Sequence, residues 1–296
     1  MSIDCLLKFL RKGGLMLVPT LLTLDVFWTK KGLKILELQH GRRSGSKGYQ
    51  VLHGLSLRDA IAAPFIETLK ADGWIWESNA QRYEGILSET PPAAFARYVD
   101  GNHALDLVLT NKAFQSALLP GLKDYFPYES IFTYHPDFLK IVPKIQAAFP
   151  DTEELVIKAP CEAVGIGIVP VHKSELESLT LDDWRNKDPY KQSMYGPAFT
   201  VQERIKPLPV EIEGQTYYPP IRLWMALIPE NGQLRPEFFN DGDLPPPIYY
   251  KLPAPDGTGT YRSQIISDIH TGRGVALVPP EIQQEIYAKT HERCDQ

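Results

Sequence analysis

Cysteine is scarce. The 296 residues hold three, Cys5, Cys161 and Cys294, set far apart. That leaves no paired spacing for zinc and no disulfide framework, so a reducing compartment is expected. Long apolar runs are missing too; nothing approaches the roughly 20 residues that cross a bilayer. The stretch from Leu15 to Leu24 is short, carries Pro19, and leads into Asp25-Val-Phe-Trp28 rather than a small-residue cleavage site. The expectation is no membrane association and a cytoplasmic location, although a secreted effector would read the same. Neither sign of charge dominates: 31 basic against 36 acidic residues leave a net −5. No general electrostatic pull toward a polyanion follows, and no nucleic-acid partner is expected. Internal repeats are absent. The seven histidines show no metal-binding spacing. The glycine-rich Gly41-Arg-Arg-Ser-Gly-Ser-Lys-Gly48 fails the phosphate-loop pattern, which needs glycine at Ser46 and a hydroxyl residue at Gly48. It is not a nucleophile elbow either.

What is present fits a globular α+β protein, with 43% apolar and 23% charged residues. The 26 prolines cluster at 207–220, 229–258 and 279–280, marking long surface loops. A helix is expected over 3–12, then strands over 15–28 and 33–39 joined by a Thr29-Lys-Lys-Gly32 turn. That hairpin sets Asp25 and Glu37 on neighbouring strands. Residues 41–48 read as a flexible basic loop and 56–71 as an amphipathic helix. Further strands are expected over 105–109, 154–158, 199–205 and 221–228, with a glycine-containing turn and a returning strand over 163–169. Helices are expected from Asn111, over 138–149 with an interruption at Pro143, from Ser174 with a capping box to Glu177, and over 281–288.

Four segments carry candidate chemistry. Lys158 ends an apolar strand before Gly165-Ile-Gly167, an arrangement that sets an ammonium and backbone amides around phosphate oxygens, or else a plain surface hairpin. Glu37 and Gln39 share a strand face, and with Asp25 alongside they supply oxygens suited to magnesium, or an exposed acidic ribbon. Glu203 closes Thr200-Val-Gln-Glu203, where a carboxylate can accept from ribose hydroxyls or simply be solvated. Arg222 lies inside an apolar strand and needs a partner; a structural carboxylate and a ligand phosphate would both serve. Cys161 reads as a packing residue, His135 and His270 as structural or exposed, and Trp74 and Trp76 as core or subdomain interface.

Taken in order, these segments resemble the ATP-grasp superfamily in a circularly permuted arrangement, similar to the glutathionylspermidine synthase type. Asp25 with Glu37-Leu-Gln39 comes first. Thr110-Asn-Lys112-Ala-Phe114, the Lys158 strand with its glycine loop, and the Thr200–Ile205 hinge strand follow. The resemblance implies two α+β subdomains whose antiparallel sheets sandwich ATP. Residues 1–48 would form a metal-binding hairpin packed on the C-terminal subdomain, 49–110 a mixed helical segment, 111–173 the lysine and glycine-loop subdomain, and 174–296 the hinge and catalytic subdomain. It further implies an ATP- and magnesium-dependent ligase that activates the carboxylate of a small molecule or peptide as an acyl phosphate for attack by an amine or another nucleophile. A small-molecule kinase and a nucleotide-binding pseudoenzyme are the alternatives. Lys112, Lys158, Gly165 and Gly167 would meet the phosphates, and Gln202, Glu203 and Arg204 the adenosine. Asp25, Glu37 and Gln39 would hold magnesium, and Arg222 or Arg262 would clamp the substrate. Two departures stand out: Gln39 replaces the usual Asn, and Thr23 stands where relatives often carry Arg.

Overall fold

The computed structural model describes residues 20–40, 46–55, 124–133, 135, 137–158, 168–179, 198–230, 233–238, 246–267 and 274–291. The expected helices over 3–12, 56–71 and from Asn111, the strand over 105–109, Lys112, Gly165, Gly167 and Cys161 lie outside them. Within the described residues the chain is mixed α+β and its sheets are antiparallel.

The opening hairpin pairs β1 (Thr20–Thr29) with β2 (Gly32–His40). Gly32 takes φ +100°, so the turn needs a residue without a side chain, as the sequence indicated. The hairpin then joins strands far downstream. β9 (Ile221–Glu230) pairs with β1, and β10 (Gln233–Phe238), β11 (Ile248–Lys251) and β12 (Val275–Leu277) complete a six-stranded sheet. A register shift between Asp25 and Val26 sets Glu37 opposite Asp25 but Ile35 opposite Val26. This bulge lets Ile35 and Leu38, three residues apart, both enter the same core.

That core forms where Leu22, Leu24, Val26, Leu223, Met225, Ile248 and Tyr250 meet Ile282 and Ile286 of the C-terminal helix. Each fully buried aliphatic side chain there contributes about 1.5–3 kcal/mol. A small hairpin, β7 (Val210–Ile212) with β8 (Gln215–Tyr217), packs on it through Val210 and Ile212.

The second sheet runs β3 (Glu129–Thr133), β6 (Ala198–Glu203), β4 (Glu154–Lys158), β5 (Ile168–His172). Its core joins Leu155, Ile157, Phe199 and Val201 to Val142, Ile145 and Phe149. Four α-helices are described: α1 (Ser46–His53), α2 (Val142–Ala148), α3 (Tyr261–Ile265) and α4 (Pro280–His291).

Three local expectations change. Ser46, Lys47 and Gly48 open α1 instead of ending a loop. Pro143 does not interrupt a helix; it sits in the first turn of α2, where its missing N–H costs nothing. The turn near Ser174 is a 3-10 helix over Lys173–Ser178, capped by His172 with Glu175 rather than by Ser174 with Glu177.

Candidate functional site

Strand alternation gives the six-stranded sheet one apolar face and one polar face. On β1, Leu22, Leu24 and Val26 enter the core, so Thr23 and Asp25 point the other way. The same logic turns Arg222 and Trp224 outward from β9, and Tyr249 and Lys251 from β11. Register places Glu37, Asp25, Arg222 and Tyr249 side by side in one row across four strands.

The row closes into a buried ion cluster. Arg222 Nε donates to Asp25 Oδ1 at 2.6 Å and its Nη2 donates to Oδ2 at 2.6 Å. Lys251 Nζ donates to the same Oδ2 at 2.9 Å. Asp25 and Arg222 are 5% and 4% exposed, so this is a desolvated pair in fork geometry. Burial works to raise the Asp25 pKa, but Arg222 and then Lys251 outweigh it and hold the carboxyl well below the usual carboxylate range. Burial and the Arg222 charge lower the Lys251 pKa, against the pull of Asp25 and Glu37. Tyr249 stays protonated far above its ordinary range, chiefly because it is buried.

One row further along, Thr23 and Trp224 face each other as register partners. Gln39 is the backbone partner of Thr23 on the other side. The Trp224 ring lies 5.7 Å from Tyr249, tilted by 43°. α1 presses against this face at Gly48, where a Cβ would run into the Tyr249 ring. Beyond Gly48, Tyr49 and His53 bring their rings to 4.7 Å. Burial lowers the His53 pKa, which favours the neutral imidazole.

The four-stranded sheet repeats the division. Lys158 pairs with Thr200, and Val156 with Gln202, which pairs in turn with Glu129. Lys158, Thr200 and Gln202 are all buried. Gln202 Nε2 donates to Glu129 Oε2. Burial raises the Glu129 pKa, against that hydrogen bond and the charge of Lys158.

The expected adenosine residues diverge. Gln202 shares the polar face with Lys158. The Glu203 carboxylate accepts from the Tyr128 N–H at 2.9 Å. Arg204 Nη1 donates to Glu154 at 2.7 Å, with its guanidinium 5.1 Å from the Tyr261 ring centre. Tyr261 also stacks on His172 at 4.6 Å, tying α3 to β5. Arg262, the second clamp candidate, is exposed on α3. The structure therefore unites Asp25, Glu37 and Arg222, and sets Lys158 on the other sheet.

For Arg222 the open choice is resolved: its partner is a carboxylate of the protein itself. Asp25 in turn accepts three N–H donors from two cations, of roughly four positions a carboxylate offers. A divalent ion at that carboxylate would face two positive charges at contact distance. Among the described residues no group of three or more His, Cys, Asp or Glu side chains is placed to hold a metal. The residues at Asp25 do not fit a resident magnesium ion in this arrangement.

Lys251, Tyr249, Trp224, Thr200 and Glu129 join the polar faces without having been singled out from the sequence. A signal exists for the β11 pair: in Ile248-Tyr-Tyr-Lys251, one lysine in a short apolar strand marks a face that cannot be core. No helix among the described residues is long and apolar enough to cross a membrane. No protein family and no curated protein matches this chain.

Proposed function

We propose that the chain is an ATP-dependent carboxylate–amine ligase of a circularly permuted ATP-grasp type. The observation that carries this reading is the pairing of β1 with β9, between residues 197 apart at Asp25 and Arg222. A permuted hairpin would complete a C-terminal sheet in this way. Support also comes from two antiparallel sheets that each bury a polar face containing a lysine or arginine.

In this reading Lys158 meets the triphosphate, together with Lys112 and the backbone around Gly165 and Gly167. Gln202 lines the adenosine side. Magnesium arrives as the counter-ion of the nucleotide. Asp25 is a positioning residue that fixes the Arg222 fork and the Lys251 amine toward the reacting groups. A substrate carboxylate oxygen attacks the γ-phosphorus, the bond to the ADP oxygen breaks, and an acyl phosphate forms. The amine attacks the acyl carbon, loses a proton, and inorganic phosphate leaves. Fixed cations supply most of the rate by neutralising charge that spreads over the transferring group.

Calorimetric titration with ADP and a non-hydrolysable ATP analogue, each with magnesium, tests the nucleotide site. Lys158→Met is expected to weaken binding at least tenfold. Wild-type protein that binds neither nucleotide removes the reading. A second reading is favoured by one observation, the engagement of Asp25 by two cations: a nucleotide-binding module without turnover. Trapping of acyl phosphate by hydroxylamine separates the two. Hydroxamate formed from ATP and a carboxylic-acid panel supports the ligase, and tight metal-independent binding with no hydroxamate supports the module.

A further inference from the structure

Among the described residues the chain crosses between the two sheets in two places, and the crossings lie side by side. Phe126 sits in the core of the six-stranded sheet, and β3 of the other sheet begins at Glu129. β6 ends at Glu203, and Leu208 is back against the six-stranded core. β3 and β6 are neighbouring strands, so the crossings leave the four-stranded sheet one strand spacing apart. Each is anchored at both ends. On the six-stranded side, Lys34 Nζ donates to the Asp124 carbonyl at 2.7 Å and the Leu208 N–H donates to the Trp28 carbonyl at 2.7 Å. On the four-stranded side, the Glu203 N–H donates to the Tyr128 carbonyl at 2.9 Å and the Arg204 N–H to the Glu154 carbonyl at 3.0 Å. The links between these anchors are short: Pro127 in one, Ile205-Lys-Pro207 in the other.

Two attachments so close together resist little of a swing that carries the far edge of the sheet away. That far edge is β5, two strands beyond β6 and roughly 10 Å from it at ordinary strand spacing. A third contact is placed there. α3 belongs to the six-stranded side: it follows β11, the Ala254 N–H donates to the Ser263 carbonyl at 2.8 Å, and the Asp256 N–H donates to the Thr216 carbonyl of β8 at 2.7 Å. From α3, Tyr261 reaches across. Its ring stacks on His172, the last residue of β5, at 4.6 Å and 25°. The Arg204 guanidinium lies 5.1 Å from the same ring centre, and its Nη1 donates to the phenol oxygen at 3.4 Å. Glu154 of β4 pairs with Arg204 at 2.7 Å and is the backbone partner of His172. One ring from the six-stranded side therefore grips the end of the other sheet from β6 to β5.

We infer that Tyr261 is a reversible latch: engaged, it holds the β5 edge against α3, and released, it lets the four-stranded sheet swing about its paired crossings. Tyr261 and His172 are half-buried and belong to neither apolar core. Ring stacking and cation–π contacts at such sites are individually weak, so the latch opens without unfolding either core. Lys158 and Arg222 lie on different sheets, so the swing changes the distance between them. A ligand that engages both enters with the latch open and is held with it closed. The latch goes beyond the ligase reading and is measured on the free protein, so the two fail separately.

Double electron–electron resonance on the full-length protein measures the swing. A ketone-bearing amino acid takes the place of Leu139 on the four-stranded side and of Leu277 on β12, which are 56% and 59% exposed. Each carries a ketone-reactive nitroxide, so the three cysteines stay untouched. The protein with its native latch is expected to give one narrow distance distribution. Tyr261→Ala is expected to raise the population outside that peak at least about threefold, the scale of one lost ring contact. His172→Ala is expected to act in the same direction. Tyr261→Phe keeps the ring and is expected to match the native latch. Circular dichroism establishes that each variant is folded. An unchanged distribution in folded Tyr261→Ala overturns the inference. So does a distribution already as broad with the native latch, or Tyr261→Phe opening as far as Tyr261→Ala. If Tyr261→Ala does not fold, His172→Ala carries the test, and an unbroadened distribution there overturns the inference.

Discussion

The two sheets bury the same kinds of polar group and treat them in opposite ways. On the six-stranded sheet, Asp25 meets a guanidinium in fork geometry and an ammonium, and charge attraction outweighs burial, so its pKa falls. On the four-stranded sheet, Glu129 is met by the Gln202 amide and by the charge of Lys158. There burial outweighs both, so its pKa rises. Burial alone therefore decides nothing about a carboxylate. The outcome turns on how strongly the neighbouring cations act on its oxygens. The first sheet holds a locked ion cluster and the second a polar face closer to its tipping point.

The largest effect should come from breaking the locked side. Asp25→Asn leaves the Arg222 charge buried without its counter-ion and is expected to cost about 3–5 kcal/mol. Urea denaturation monitored by circular dichroism gives the number. A cost under about 1 kcal/mol would mean that Arg222 has a second anion within reach. Lys251→Met removes one charge-assisted hydrogen bond but leaves the Arg222 fork intact, so about 1.5 kcal/mol is expected in the same measurement. Glu129→Gln keeps the size and a hydrogen-bonding group beside Gln202, and a change within about 1 kcal/mol is expected at neutral pH.

Acid titration sharpens the contrast, because the two carboxyl groups bend stability in opposite directions. Asp25 has a folded pKa below its unfolded value near 3.8. Its contribution is full above that value and is lost as pH falls from there toward the folded pKa. Glu129 has a folded pKa above its ordinary 4.5, so its contribution declines as pH rises from 4.5 through the folded value. In urea titrations at stepped pH, Asp25→Asn should flatten the loss below pH 4, and Glu129→Gln should flatten the decline above 4.5. Two variants with the same pH profile as the wild type would show that neither group is coupled to folding in this way.

Much of the local structure was legible residue by residue. The Thr29-Lys-Lys-Gly32 turn needed a glycine at positive φ and has one. The apolar run Glu154–Lys158 is a buried strand because Leu155 and Ile157 have a core to enter. The α1 start was hidden: Ser46 and Gly48 look like loop residues, yet they open the helix, and Gly48 packs on the Tyr249 ring, some 200 residues away, against which only a glycine fits. The bulge after Asp25 was equally hidden, since a shift of one residue leaves the alternation pattern intact on each side of it. Arg222 posed a question the sequence itself framed, a charge in an apolar strand that needs a counter-ion. Only the pairing of β1 with β9 could name Asp25 as the answer.

The sequence alone determined the Thr29–Gly32 hairpin turn and the apolar strands over 154–158 and 221–228, because turn glycines and apolar runs are local properties. The tertiary structure decided which polar residues share a face and which charges cancel. Those are settled by register between strands some 200 residues apart, and register depends on how distant apolar faces fit together rather than on any one segment.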